Sequence, residues 1–358
     1  MRFSRFLELA LYDPLEGYYG SGRAAVGKDG DFFTNVSVGP VFGALLAGQF
    51  LEMWEILGRP PEFHLVEQGA NDGVLARDVL NALAETPLAD VPLILIEPVS
   101  LLQEKQALAL AGRNVTWVKT PDALPECTGV HFSNELFDAL PFDILEARAG
   151  AWHELLVGSV QGKLSFQLAE QPIENSDLPA RPDGFRTELR RHQAHLFESL
   201  ASKIRSGFVI AIDYGMSREE LLAPHRSAGS FACYSRHSRD DDPLGNPGGK
   251  DITAHVDFTL LARDAASSGF TLQAYTDQHR FLVGASTAWL KALDGAPPSA
   301  STRKILRSLR TLLHPEILGT RFQAILFSKG PMESRKPSGF QHAGNCNFLW
   351  NPGGSMRF

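Results

Sequence analysis

Two acidic residues, Glu135 and Asp138, follow a candidate strand at residues 130–133. If a helical turn begins here, residues three apart share a face, so the two carboxylates would lie close together. Two carboxylates at reduced dielectric repel each other unless a cation lies between them. A guanidinium fits this gap because its planar fork pairs bidentately with carboxylates. The motif, which starts at Asn134, predicts either a substrate site for a guanidinium or a capping arrangement at a helix start.

A second motif with chemical meaning is the stretch LVEQGANDGVL at residues 65–75. Its apolar run ends at Glu67, Gly69 and Gly73 interrupt it, and a helical apolar pattern follows. Strand, glycine turn and helix open a doubly wound α/β fold, whose ligands bind beyond the carboxyl ends of the strands. A dinucleotide fingerprint would need glycines at 69, 71 and 74, and Asn71 and Val74 stand there instead. The spacing is similar to the S-adenosylmethionine loop of class I methyltransferases, and the alternative is a turn that needs glycine only for positive φ.

Further acidic residues end two other apolar runs, Glu97 after residues 93–96 and Asp213 after residues 207–212. A carboxylate can accept hydrogen bonds from two ribose hydroxyls, so Glu97 is the predicted ribose partner of the cofactor. The alternative for Glu97 is a first-turn charge that favours the helix dipole. We expect Glu67 to orient the glycine loop or the amino group of the cofactor.

Two other segments could approach the same site. In DGDFFT at residues 29–34, Asp31 and the backbone could touch the cofactor, and an ordinary turn is the alternative. Residues 229–256 form a long polar stretch that we interpret as a loop without secondary structure of its own, either a functional lid or a disordered segment. At its end lies DITAHVD, in which His255 is a candidate base, with a structural histidine as the alternative.

The composition is ordinary for a soluble globular protein, with 358 residues of which 44% are hydrophobic and 21% charged. A net charge of −7 argues against nucleic acid as a partner. Three cysteines without a close pair favour neither disulfides nor a zinc site, so no metal is expected, and they fit a cytoplasmic location. No apolar run is long enough for membrane insertion, and residues 1–14 are interpreted as a folded helix rather than a targeting sequence. A homodimer is left open.

The remaining pattern predicts how the chain is divided. Alternating residues at 143–171 indicate an antiparallel meander inserted after the fourth strand. Later elements are expected as helices at 187–205, 257–268 and 286–313 and as strands at 207–213, 271–283 and 321–328. The predicted regions are an N-terminal helical lid (1–60), a Rossmann-like core (61–142 and 187–330), an inserted β subdomain (143–186) and a mobile tail (331–358).

Several stretches together resemble the MidA-like family of S-adenosylmethionine-dependent methyltransferases. These stretches occur in the family's order and cover about residues 3–330: FSRFLELALYDPLEGYY, GDFFTNVSVGPVFG, HLVEQGANDGVLARDVL, SNELFDALPFD, GFVIAIDYG and DITAHVDF. The resemblance implies a Rossmann-like class I methyltransferase fold with a seven-stranded sheet, an N-terminal helical lid and an inserted antiparallel β subdomain. It also implies a protein substrate, because the mitochondrial member is a complex I assembly factor that methylates an arginine of a complex I subunit.

The resemblance also implies which residues form the site. The implied cofactor-binding residues are Gly30, Asp31, Phe32, Thr34, Glu67, Gly69, Gly73 and Glu97, and Asn71 lies among them in the loop. Substrate handling is implied near Asn134, Glu135 and Asp138. The family's loop usually reads glycine–small–glycine, so Asn71 is a departure, as is Gln68 in place of an aliphatic residue. Two alternatives therefore stay open, a catalytically inactive assembly chaperone, which Asn71 favours, and a small-molecule methyltransferase.

Overall fold

The structure is a computed structural model that describes residues 1–22, 34–174, 178–235, 238–293 and 299–349. Its helices are α1 (Phe3–Tyr12), α2 (Val41–Ile56), α3 (Val74–Leu83), α4 (Ser100–Ala109), α5 (Gln193–Lys203), α6 (Arg218–Leu221), α7 (Phe258–Ser267), α8 (Gln278–Ala292) and α9 (Ala300–Leu313). Its strands are β1 (His64–Gln68), β2 (Leu93–Ile96), β3 (Val115–Val118), β4 (Cys127–Asn134), β5 (Asp143–Arg148), β6 (Ala151–Val160), β7 (Lys163–Pro172), β8 (Arg186–Leu189), β9 (Ile204–Met216), β10 (Ala232–Ser235), β11 (Ser238–Asp240), β12 (Asp251–Thr253), β13 (Val256–Asp257), β14 (Thr271–Asp277) and β15 (Phe322–Lys329).

The central sheet has the strand order β14-β15-β9-β4-β1-β2-β3, with β13 paired to the end of β9. The pairs from β9 to β3 are parallel, and β15 runs antiparallel to both of its neighbours. This arrangement confirms the predicted seven-stranded, mostly parallel sheet. The carboxyl ends of β1, β2, β4 and β9 meet at one edge, where a doubly wound sheet places its ligands.

The sheet is buried on both faces because its inner strands are apolar at nearly every position. Leu65 of β1 packs into a cluster with α2, α3, α8 and α9, and the adjacent Val66 packs into a second cluster with α5 and α7. Successive side chains of a strand point to opposite faces, so a continuous apolar run needs helices on both sides. The strands are thereby held as a rigid platform for the loops at their carboxyl ends.

The inserted subdomain is a four-stranded antiparallel sheet of order β7-β6-β5-β8. It extends past the predicted boundary at residue 186, because β8 pairs with β5 up to Leu189. The N-terminal region divides between the two sheets. Helix α1 packs Phe3 and Leu7 against Phe142, just before the insert, and Leu155 of the insert, whereas α2 packs under the central sheet.

Two element predictions were wrong. Residues 229–256 do have secondary structure, since β10, β11 and β12 form a small antiparallel sheet whose strands of three and four residues are too short to show a period. The strand predicted at 271–283 ends at Asp277, whose carboxylate accepts the N–H of Arg280 and caps α8. The apolar pattern continues from strand into helix through Phe281 and Leu282, so hydropathy does not mark the boundary.

The tail also differs from the mobile segment that we predicted, as far as residue 349. Ser338 donates its N–H to Glu52 and Gly339 donates its N–H to the Gln49 Oε1 (2.7 Å), which attaches this segment to α2. Phe340 is buried with its ring 5.0 Å from that of Phe281. Among the described residues no helix has the length and apolarity of a membrane span.

Phe340→Ala should lower the free energy of unfolding by about 3–5 kcal/mol, because it leaves a cavity against α8. Urea denaturation monitored by far-UV circular dichroism measures this change. Phe348 in the same segment is 65% exposed, so Phe348→Ala is the matched control, with an expected change within about 0.5 kcal/mol. Equal stability of the two variants would show that the tail does not contribute to the fold.

Candidate active site

A cavity of about 770 Å³ opens at the carboxyl edge of the central sheet. Its wall includes predicted residues from each part of the chain: Thr34, Gly69, Asn71, Glu97, Asn134, Glu135, Asp138 and His255. Glu67 and Gly73 are buried near this wall without being part of it. Gly30, Asp31 and Phe32 lie outside the described residues. The topology thus brings residues separated by more than two hundred positions into one site.

The glycine loop needs left-handed backbone at three positions. Gly69, Asn71 and Gly73 have φ values of 79°, 47° and 80°. Asn is among the few non-glycine residues that adopt this region readily, so Asn71 does not distort the loop. A Cβ on Gly69 would lie 3.1 Å from a methyl carbon of Leu136, so glycine also permits the close approach of the two loops that border the cavity.

Gln106, a buried residue of α4, connects the glycine loop to the end of β2. Its Nε2 donates to the carbonyl of Asn71 (2.8 Å) and to the Oε2 of Glu97 (3.1 Å). Its Oε1 accepts from the indole of Trp117 (2.9 Å), which fixes the orientation of the amide. Sequence reasoning missed Gln106, because a glutamine within a helix carries no local signal of such a role.

Glu97 keeps acceptor capacity for a ligand. Its Oε1 accepts the N–H of Val99 (2.9 Å) and its Oε2 accepts from Gln106, so each oxygen has another lone pair available. Burial raises the pKa of Glu97 to about 6, while these two hydrogen bonds act in the opposite direction. The residue is therefore mostly a carboxylate at neutral pH, as ribose binding requires.

Glu67 lies behind the glycine loop and has a different character. Burial, with a smaller contribution from Asp72, raises its pKa to about 8. Its Oε2 is buried and has no hydrogen-bond partner among the described residues. An uncharged carboxyl can donate as well as accept, which suits the predicted role of orienting the loop or a cofactor amino group.

A tight turn, rather than the helical turn considered above, brings Glu135 and Asp138 to the cavity. Glu135 has φ of 55°, and no helix begins here, so the capping alternative does not apply. The buried Asp213 at the end of the adjacent β9 accepts the N–H groups of Leu136 (3.1 Å) and Phe137 (2.8 Å). Asp213, predicted only as a strand-end acid, is therefore the residue that shapes the turn.

The carboxyl groups at this edge are close enough to affect one another. The pKa of Glu135 is raised to about 8 by burial, then by the charges of Asp138 and Asp251. Burial also raises the pKa of Asp138 to about 6, against the lowering effect of Arg190. The Oδ1 of Asp138 has no partner among the described residues. Sequence reasoning missed Asp251, although it lies in the DITAHVD stretch.

Arg190 does not bind these carboxylates directly. Its two terminal nitrogens donate to the main-chain carbonyls of Asp138 (3.1 Å), Ala254 (2.6 Å) and His255 (3.0 Å). Its guanidinium carbon lies 5.3 Å from the ring centre of Phe142. Arg190 therefore ties the segment after β12 to the turn at residues 134–138, and its terminal nitrogens are used by main-chain carbonyls.

His255 borders the cavity as an uncharged imidazole. Burial, followed by the charges of Arg226, Arg190 and Arg239, lowers its pKa to about 4. Its Nδ1 is buried without a partner among the described residues. The residue is in the site, as predicted, but the low pKa makes it a weak base.

The comparisons with known proteins identify the chemistry. A family model for S-adenosyl-L-methionine-dependent methyltransferases matches residues 45–276, well over half of the chain. The chain belongs to this family. It is also similar to a Burkholderia thailandensis protein whose crystal structure is bound to S-adenosyl-homocysteine, with a TM-score of 0.82, 26% identity and coverage of 97% of this chain and 92% of that one.

Several relatives of this methyltransferase are named protein arginine methyltransferases. This methyltransferase is 26% identical to the mitochondrial protein arginine methyltransferase NDUFAF7 of Xenopus tropicalis over 93% of this chain and 83% of the relative. Its identity to the Drosophila melanogaster homologue is 27%, over 91% of this chain and 81% of the relative. The MidA-like resemblance, the class I fold and the cofactor S-adenosylmethionine are thereby confirmed.

The cavity fits this cofactor. Its volume lies within the range of about 300–1,000 Å³ that small-molecule sites occupy. Glu97 supplies carboxylate oxygens for the ribose, and the exposed Gly69 supplies backbone without a side chain. Glu67, buried behind the wall, has an unpaired polar atom among the described residues. Within the described ranges no group of three or more His, Cys, Asp and Glu side chains has the arrangement of a metal site.

Glu97→Gln should weaken binding of S-adenosyl-homocysteine at least about tenfold, because the amide has one acceptor oxygen where the carboxylate has two. The affinity of the parent should also fall below pH 6, where Glu97 becomes protonated, and that of the variant should not. Isothermal titration calorimetry from pH 5 to 8 measures both effects. Exposed Glu104, on the helix α4 that follows Glu97, gives the control Glu104→Gln, and equal affinities of the two variants would refute the ribose assignment.

Proposed function

We propose that this methyltransferase transfers the methyl group to an arginine of a protein partner. The observation that carries the proposal is the group of carboxyl side chains Glu135, Asp138 and Asp251 in the wall of the same cavity as Glu97 and the glycine loop. The one buried guanidinium near them in the described chain, Arg190, is bound to carbonyls. Arg239 and Arg321 also border the cavity. A guanidinium from a substrate adds a positive charge whose planar fork can pair bidentately with these carboxylates. The names of the relatives support the same class of acceptor.

The chemistry has one step that the protein must assist. S-adenosylmethionine supplies an electrophilic methyl group, and the acceptor nitrogen forms a new N–C bond as the S–C bond breaks. Arginine has a pKa above about 12, so the attacking nitrogen must lose a proton to a carboxylate during or after attack. Glu135 and Asp138 hold the guanidinium fork and favour positive charge on the far nitrogens, which leaves the reacting nitrogen more nucleophilic.

Other cavity residues suit a long, partly apolar acceptor side chain. The rings of Tyr12 and Tyr19 stack with centres 5.7 Å apart, and Tyr214 and Tyr234 border the same cavity. Such rings can pack against the methylenes of an arginine and against the guanidinium face. His255 stays a reserve candidate for proton removal because it is uncharged near neutral pH.

The two rival functions differ in testable ways. Asn71 is the feature that favours an inactive chaperone, because its side chain adds bulk to the loop, although it adopts the left-handed backbone of the neighbouring glycines. Absence of S-adenosylmethionine binding by calorimetry would leave only the chaperone. A small-molecule acceptor would be methylated while every candidate protein stays unmodified. From the family resemblance, a subunit of respiratory complex I is the acceptor that we would test first.

Glu135→Gln should lower the rate of arginine methylation at least about a hundredfold, because the amide can neither pair with the guanidinium nor take its proton. Intact-mass analysis and peptide fragmentation of complex I subunits from the source organism, incubated with enzyme and cofactor, give the rate and the modified residue. Calorimetry on the same variant is the control, and cofactor affinity should stay within about twofold of the parent. Loss of both activities would show that the role of Glu135 is misassigned.

The affinity for a cationic acceptor should rise with pH. Glu135 has a pKa of about 8 without acceptor, so below pH 8 a guanidinium must displace its proton, and affinity should increase up to about tenfold per pH unit until it levels off. Binding of N-acetyl-arginine amide to enzyme saturated with S-adenosyl-homocysteine, measured from pH 6 to 9, tests this sign. In Glu135→Gln the slope should disappear, and a slope that persists there would assign the titration to another group.

A further inference from the structure

A chain of buried amide side chains leads from the helical layer to Glu135. Gln278 Nε2 donates to Asn35 Oδ1 (2.8 Å), and Asn35 Nδ2 donates to Asn134 Oδ1 (3.0 Å). Asn134 Nδ2 then donates to Glu135 Oε1 (2.8 Å). Gln278 and Asn35 are completely buried, so water does not compete for these bonds. The chain joins the start of α8, the segment before α2 and the end of β4.

The direction of the chain is set at its far end. Gln278 Nε2 also faces the main-chain carbonyl of Leu312 in α9 (3.4 Å), which can only accept. The side-chain nitrogen of Gln278 therefore points toward α9 and Asn35. Asn35 must then direct its side-chain oxygen toward Gln278 and its side-chain nitrogen toward Asn134. Each amide dipole consequently ends with its positive side toward the Glu135 carboxylate. Aligned hydrogen bonds polarise one another, so a break at the start weakens the bond at the end.

Asn35 holds Glu135 by a second route. The main-chain N–H of Asn35 also lowers the pKa of the Glu135 carboxyl, so one buried residue acts on it both directly and through Asn134. The main chain of Glu135 is held by its N–H, which donates to the Ile212 carbonyl of β9 (3.0 Å), but its left-handed backbone turns the side chain away from the strand, so the carboxyl group needs partners of its own. The amide chain supplies this support from outside the cavity.

We propose that Gln278 and Asn35 are positioning residues that hold the Glu135 carboxylate, through Asn134, in the orientation that receives the acceptor. Neither Gln278 nor Asn35 is part of the described cavity wall, so neither touches substrate or cofactor. The inference rests on the proposed function only for the identity of the acceptor. The hydrogen-bonded chain and its effect on Glu135 do not depend on that identity.

The first test is Gln278→Met, which keeps the volume of the side chain and removes the first donor. We expect cofactor affinity to be unchanged and the turnover number to fall about tenfold or more, because the Glu135 carboxylate is no longer held in the orientation that receives the acceptor. Gln49→Met is the matched control, since Gln49 is an equally buried helical glutamine whose amide bonds Ser338 and Gly339 of the tail. It should lose thermal stability and keep the turnover number.

The second readout is the titration of Glu135 itself. Infrared difference spectra of acceptor-free protein across pH 5–10, with the Glu135 band assigned by its loss in Glu135→Gln, report its protonation. Its titratable neighbours are Asp138, Asp213, Tyr214 and Asp251, and they are the same in parent and variant. Removal of an aligned donor should move the midpoint upward in Gln278→Met and leave it unchanged in Gln49→Met.

The outcomes separate this inference from the proposed function. If no arginine is methylated but the midpoint moves in Gln278→Met, the acceptor is wrong and the positioning chain stands. If Gln278→Met loses stability as Gln49→Met does, with an unchanged midpoint and turnover number, Gln278 is only structural and the inference is overturned. Asn35→Leu, which breaks the chain at its middle and keeps the main-chain N–H, should repeat the shift even if Gln278→Met does not fold.

Discussion

The buried Asp213 carboxylate is the interaction on which the acceptor side of the site depends. It accepts the N–H groups of Leu136, Phe137 and Tyr214, and so ties the turn after β4 to the adjacent strand β9. A non-glycine residue at positive φ costs about 1–2 kcal/mol, and Glu135 adopts such a conformation. The bonds to Asp213 offset that strain, and the result is a carboxyl side chain directed into the cavity rather than along a helix.

The electrostatics of the cavity follow from the same geometry. Three carboxyl groups, those of Glu135, Asp138 and Asp213, converge near the ends of the parallel strands, and burial raises the pKa of each above its ordinary value. Folding raises the pKa of Glu135 and of Glu67 from 4.5 to about 8, so the folded state is favoured while these two side chains are protonated. That stabilisation is lost as pH rises from 4.5 to 8. A cationic ligand beside Glu135 stabilises the ionised carboxylate and so lowers the pKa of Glu135. Binding of such a ligand is therefore linked to release of the Glu135 proton.

The sequence predicts the central features and misses their supports for one physical reason. Strand ends, glycine positions and the NELFD motif are local patterns, so Gly69, Glu97, Glu135 and Asp138 could be named and placed at one edge. Gln106 and Gln278 act through hydrogen bonds to residues 35 and 243 positions away. A buried amide on a helix has no periodic or compositional signature of such a bond. The short strands of the 229–256 segment escape detection because three residues cannot show an alternation.

The supports also explain why a departure in the glycine loop is compatible with the family's chemistry. The loop contributes backbone to the cavity, and what matters is its conformation and its attachment to the end of β2. Asn71 adopts the left-handed φ that the loop conformation requires. Gln106 attaches the loop to the end of β2, because its amide donates to both the Asn71 carbonyl and the Glu97 carboxylate. A side chain at this position therefore changes the surface of the cofactor site and not its framework. The constraint that the fold must preserve is the link between loop and carboxylate, which one buried amide supplies.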